Sequence, residues 1–177
     1  MSPSLATSRR TLFRKLHQSS VRAFHGGSVM VWAGISRFSR TPLVVIPPPG
    51  LTSRRYVHEI LQPYVLRMRN RIGQGFRLLQ DNARPHTASY TQQFLKNHQI
   101  ETLHPPMSPD LNPIEHIWDM LERRVRENYP NITDLASLVR ALWQTWQRIP
   151  QAAIRRCINM RNRLRAAILN RGGNTRY

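Results

Sequence analysis

The chain has 177 residues and a net charge of +18, from 27 Arg or Lys against nine Asp or Glu. That length supports one domain with a real core; no apolar run approaches the roughly 18 residues that suggest a membrane helix; and Cys157, alone, argues against a disulfide framework or a Cys-based zinc site. Lys15 and Lys96 are the only lysines, and the planar donor fork of Arg suits phosphate, so a polyanionic partner is expected, with nucleic acid first; the bland alternative is an Arg-rich composition that is merely solvated.

In chain order, Met1 to Ala23 is Ser/Arg-rich and free of acids. It reads first as a disordered basic tail, with a mitochondrial transit peptide as another reading. Val29, Val31, Ala33 and Ile35 alternate with Met30 and Trp32, apolar on both faces, which predicts a buried strand over 28–36. Trp32 is then core rather than a base-stacking platform. Thr41 to Ile46 predicts a second strand and a hairpin, stopped by Pro47-Pro48-Pro49-Gly50. Thr52 or Ser53 caps a helix in which Tyr56, Val57, Ile60, Leu61, Tyr64, Val65 and Met68 make an apolar face, kinked at Pro63.

Phe76 to Gln80 reads as a short strand that runs out at Asp81-Asn82. A helix follows from Thr87 to Asn97, then a strand over Ile100 to Leu103. An acid at a strand's C-terminal end is a common place for chemistry in α/β sheets; an Asx-turn or a helix cap is the structural alternative for Asp81. His86 could meet a phosphate, against the commoner fate of a structural hydrogen bond.

Ser108-Pro109-Asp110 is a turn signal. Asn112 suits an N-cap and Pro113 the first helical position. Ile114, Ile117, Trp118, Leu121 and Val125 then recur at helical spacing. Glu115 falls in the acidic slot of a capping box, which makes it either a capping glutamate or a metal ligand. Thr133 is expected to cap a helix carrying Leu135, Leu138, Val139, Leu142, Trp143 and Trp146. Pro150 opens a last helix, which Gly172-Gly173 ends. Residues 151–177 hold seven Arg and no acid. Candidate nucleic-acid contacts are Arg84, His86, Arg155, Arg156, Arg161, Arg163 and Arg165.

Three stretches carry a resemblance: HGGSVMVWAGIS from His25, QDNARPHTA from Gln80 and SPDLNPIEHIW from Ser108. Together, in this order, they resemble the catalytic domain of Tc/mariner-type DDE transposases. The resemblance implies an α/β, ribonuclease H-like mixed sheet flanked by helices. It matches Asp81 to the family's second catalytic aspartate and Glu115 to its third acid, both catalytic and both metal ligands. The 33 residues between them are one fewer than the family usually has.

The family's first aspartate, on the first strand, has no match, because Glu59 is the only acid before Asp81. The first strand is therefore expected to be missing, as in an N-terminally truncated copy, with residues 1–24 substituting poorly or the sheet splitting. Within the same resemblance, Thr7 to Leu16 looks like the recognition helix of a helix-turn-helix module. The expected organisation is a tail or helix-turn-helix remnant over 1–24, a partial catalytic domain over 25–130, and helices over 131–177 completing it. The implied activity is Mg²⁺- or Mn²⁺-dependent DNA strand cleavage and strand transfer, with an incomplete two-metal site. The implied partners are transposon-end and target DNA and a second copy of the chain, in the nucleus, with no membrane. The expectation for this chain is a nucleic-acid-binding protein inactive on its own; completion by Glu59 or in trans, and a non-enzymatic DNA-binding or interaction protein on the same scaffold, are the alternatives.

Overall fold

The structure, a computed structural model, describes residues 12–16, 19–22, 28–103 and 113–159. Two three-stranded sheets organise it. One has the order β1 (Leu12–Leu16), β5 (Arg77–Gln80), β6 (Glu101–Leu103), all parallel. The other has the order β2 (Ser19–Arg22), β3 (Ser28–Trp32), β4 (Val44–Ile46), all antiparallel. The sheet is thus split, one of the outcomes the sequence allowed. The family's first aspartate remains unmatched, yet the place beside β5 is taken: β1 pairs Leu12 with Arg77, Phe13 with Leu78 and Leu16 with Gln80. The segment read as a tail or helix remnant supplies strands instead. The physical reason is that a ladder is built from backbone groups, and an uncovered edge of β5 would leave a row of them unpaired.

The helices follow their patterns closely. α1 runs through Ser53–Arg55, a π-helical stretch Tyr56–Val65, and Leu66–Ile72. Thr52 Oγ1 caps it, accepting from the Arg55 N–H at 3.2 Å. Pro63 lies inside the π-helical stretch, so the expected disruption is taken up as wider winding. The helix expected from Thr87 is two pieces, α2 (Arg84–Thr87) and α3 (Ser89–Asn97), separated at Ala88, whose ψ of 143° is extended. α4 (Pro113–Asn128) begins at its proline. α5 (Leu135–Arg148) is capped by Asp134 and not by Thr133. The carboxylate takes the Ser137 N–H on Oδ1 (2.8 Å) and the Ser137 hydroxyl on Oδ2 (2.6 Å). α6 (Gln151–Ile158) follows Pro150; its expected continuation to Gly172 lies outside the described residues.

Alternation along β3 sends its side chains into two cores. Val29 and Val31 join Ile114, Ile117, Leu121, Leu142 and Trp146 on one side. Trp32 joins Tyr56, Ile60, Leu61, Leu78 and Leu95 on the other. The sheet is therefore covered on both faces, as a strand apolar on both sides requires. Arg40 ties the hairpin to the end of α5. Its guanidinium donates to the Gln147 carbonyl (2.8 Å) and to the Ile149 carbonyl, and lies over the Trp146 ring.

Candidate active site

Asp81 stands at the C-terminal end of β5, where the strand gives way to the turn into α2. Its Oδ1 accepts the Ala83 N–H at 3.1 Å, an Asx-turn, and meets His86 Nδ1 at 2.6 Å. An ionised carboxylate only accepts, so Nδ1 carries the proton. His86 is fully buried, and its Nε2 has no hydrogen-bond partner among the described residues. The Tyr56 ring lies against it, tilted by 43° with centroids 4.3 Å apart, and the Tyr56 hydroxyl donates to Gln80 Oε1 at 2.7 Å. Burial, and behind it the charge of Asp81, push the Tyr56 phenol well above its ordinary range. The carboxylate is thus fixed by its own turn and by a buried ring held from α1.

Glu115 is half-buried in the first turn of α4. α4 packs against β1, the strand beside β5, so one strand links the elements that carry the two acids. Arg84 is exposed next to Asp81, and Arg155 and Arg156 are exposed on α6. His86 points inward to Asp81. Arg161, Arg163 and Arg165, and the cap position Asn112, lie outside the described residues. Glu59 is engaged elsewhere: Arg55 holds it with two hydrogen bonds of 2.7 and 2.9 Å and keeps its carboxyl below the usual range.

Two carboxylates match a hard divalent cation in kind, since Mg²⁺ wants oxygen ligands. They fall short in number. Among the described residues no three His, Cys, Asp or Glu side chains converge. β1, LFRKL, carries no acid, and Leu16 is what stands beside Gln80. Among the described residues, Asp81 and Glu115 are thus the matched acids that could serve as oxygen ligands to such an ion. A shallow dish lined by Asp119, Glu122, Arg123, Arg126 and Glu127 holds neither candidate acid, and its charges pair with one another, Glu122 with Arg126 and Arg123 with Glu127.

Sequence reasoning missed the roles of Tyr56 and Gln80. Tyr56 looked like one more apolar position on its helix. The available signal was Gln80, a polar residue after Leu78 and Leu79 and just before an acid.

A family model described as DDE superfamily endonuclease matches residues 49–137. The Tcb2 transposase of Caenorhabditis briggsae is 33% identical over 156 residues, covering 86% of this chain and 55% of that protein. The catalytic domain of Mos1 mariner transposase superposes with a TM-score of 0.74 at 16% identity, covering 94% of this chain and 85% of that one. A Mos1 transposase paired-end complex with left transposon end gives a TM-score of 0.69 at 17% identity, covering 99% of this chain and 52% of that one. The chain spans about half the length of the curated transposases it matches. The matched segment runs from the turn before α1 through Asp81 and Glu115 into the start of α5, on a ribonuclease H-like α/β fold, and by it the chain belongs to the Tc/mariner-type DDE transposases.

Proposed function

We propose that this chain is a transposase-derived nucleic-acid-binding protein of DNA transposition that does not cut DNA by itself. The observation that carries this is the make-up of the strand beside β5: β1 offers Leu, Phe, Arg, Lys and Leu where the family has an aspartate. Asp81 and Glu115 supply two acids of a set of three. In-line displacement at phosphorus relies on metal ions organised by carboxylates. Losing such a ligand costs several kcal/mol, at roughly tenfold in rate for each 1.4 kcal/mol. Binding does not share this dependence. The exposed guanidiniums of Arg84, Arg155 and Arg156 and the net charge of +18 favour a phosphate backbone whatever the acids do. The DNA would be transposon-end or target DNA, met in the nucleus by a dimer of the chain.

The test is nicking and strand transfer on supercoiled DNA with Mg²⁺ or Mn²⁺, alongside DNA affinity at several salt concentrations. We expect no product from the wild-type chain. We also expect an affinity that falls steeply with salt and is unchanged in Asp81→Ala and Glu115→Ala. Metal-dependent nicking by the wild type, lost in both variants, would refute the reading and point to a third ligand supplied in trans.

A further inference from the structure

One exposed cluster borders the Asp81 turn and belongs to no catalytic motif. The first turn of α1 packs against α2 and α3. There the Arg54 guanidinium lies over the Tyr90 ring, 5.7 Å from its centroid. Tyr90 Oη meets His58 Nε2 at 2.9 Å, and His58 Nδ1 meets Gln62 Oε1 at 3.3 Å. The phenol is therefore held at its tip from α1, yet 43% of Tyr90 is exposed. Arg54, His58, Gln62 and Arg84 are exposed as well. Neither Arg54 nor Arg84 makes a side-chain hydrogen bond or ion pair among the described residues, whereas Arg55, one position away, is bound by Glu59.

Resting on the DNA-binding reading above, we propose that Arg54, His58 and Tyr90 form a platform on which an unpaired base of a DNA strand stacks beside the Asp81 turn. Three features favour a base over phosphate alone. An exposed aromatic ring contributes little to a pure phosphate site, whereas every base has a π-face to lay on it. Bonding at the hydroxyl fixes the ring in advance, which lowers the ordering cost of binding. Arg54 adds cation–π character on the ring and positive charge for the adjoining backbone. The position also suits a strand running to the acids: Arg84 lies between Tyr90 and Asp81 in sequence, and His86, just before the break at Ala88 that precedes the helix of Tyr90, is bonded to Asp81 itself.

The experiment is fluorescence anisotropy of the full chain on a labelled oligothymidylate and on a blunt duplex, with circular dichroism and melting as the check on folding. Tyr90→Ala and Tyr90→Leu should weaken single-strand binding about tenfold, the scale of one stacked base, and duplex binding less than about twofold. Tyr90→Leu keeps bulk against α1 without a π-face. Tyr90→Phe keeps the π-face and loses only the pre-ordering through His58, so single-strand affinity should fall less than in Tyr90→Leu. Arg54→Ala should weaken both ligands and lower the salt slope by about one. Unchanged single-strand affinity in a folded Tyr90→Leu variant overturns the proposal, as does equal loss on both ligands, which would make the cluster a general phosphate surface. A wild-type chain that binds neither DNA overturns this proposal together with the DNA-binding reading; wild-type binding indifferent to Tyr90 removes only the platform.

Discussion

The Tyr56 hydroxyl is fully buried, so its proton goes to Gln80 Oε1. Removing it leaves Gln80, itself buried, short of a donor. Tyr56→Phe should therefore cost about 1–3 kcal/mol in urea unfolding at neutral pH. The same residue sets an alkaline limit. Burial first, and the Asp81 charge second, raise its folded value above the ordinary 10.0. The folded state then holds the proton that the unfolded chain releases. This contribution is fully present below the unfolded value and is lost as pH climbs from there toward the folded one. Wild-type stability should fall above about pH 10, and the part of that fall due to Tyr56 should vanish in Tyr56→Phe. Identical alkaline profiles would show that the phenol is not held as the geometry says.

At the scale of elements, α5 ties the helical layer to the β3–β4 hairpin. Leu142 and Trp146 bury into the core shared with β3 and α4, and Trp146 Nε1 donates to the Thr41 carbonyl at 3.0 Å. Leu142→Ala should destabilise by about 2–5 kcal/mol, the range for a large-to-small change in a packed core; a loss under about 1 kcal/mol in thermal or urea melts would mean the site collapses around the gap. This helix, like α1 and α4, was legible from sequence because apolar spacing and the burying face are the same information. The Asp81 turn was legible too, through a motif whose residues sit where a strand ends. Four features were not. The π-helical winding around Pro63 and the break at Ala88 turn on backbone angles that no side-chain pattern records. The cap at Asp134 was one residue from the expected one, and its carboxylate takes one Ser137 donor on each oxygen. β1 left no pattern at all, because LFRKL neither alternates cleanly nor carries the expected acid.

For the whole molecule, β1 decides how the two sheets relate to the acids. It joins β5, which ends in Asp81, and it is contacted by α4, which begins near Glu115. Yet it comes from a basic, acid-free and weakly patterned stretch, where backbone pairing and the contact with α4 define its place. That makes the ladder itself the thing to break. In a parallel pair only alternate residues bond to a given neighbour, so Phe13→Pro and Arg14→Pro between them should strike a donor facing β5 or the edge. One of the two should lower stability by about 1–3 kcal/mol, the cost of a buried backbone group left unpaired. It should also speed amide exchange at Leu78 and Leu79 in β5, while leaving β3 and β4 protected because they belong to the other sheet. Unchanged melting and exchange in both variants would take β1 out of the sheet, leaving β5 with β6 as its only partner and Glu115 with no strand linking its helix to Asp81.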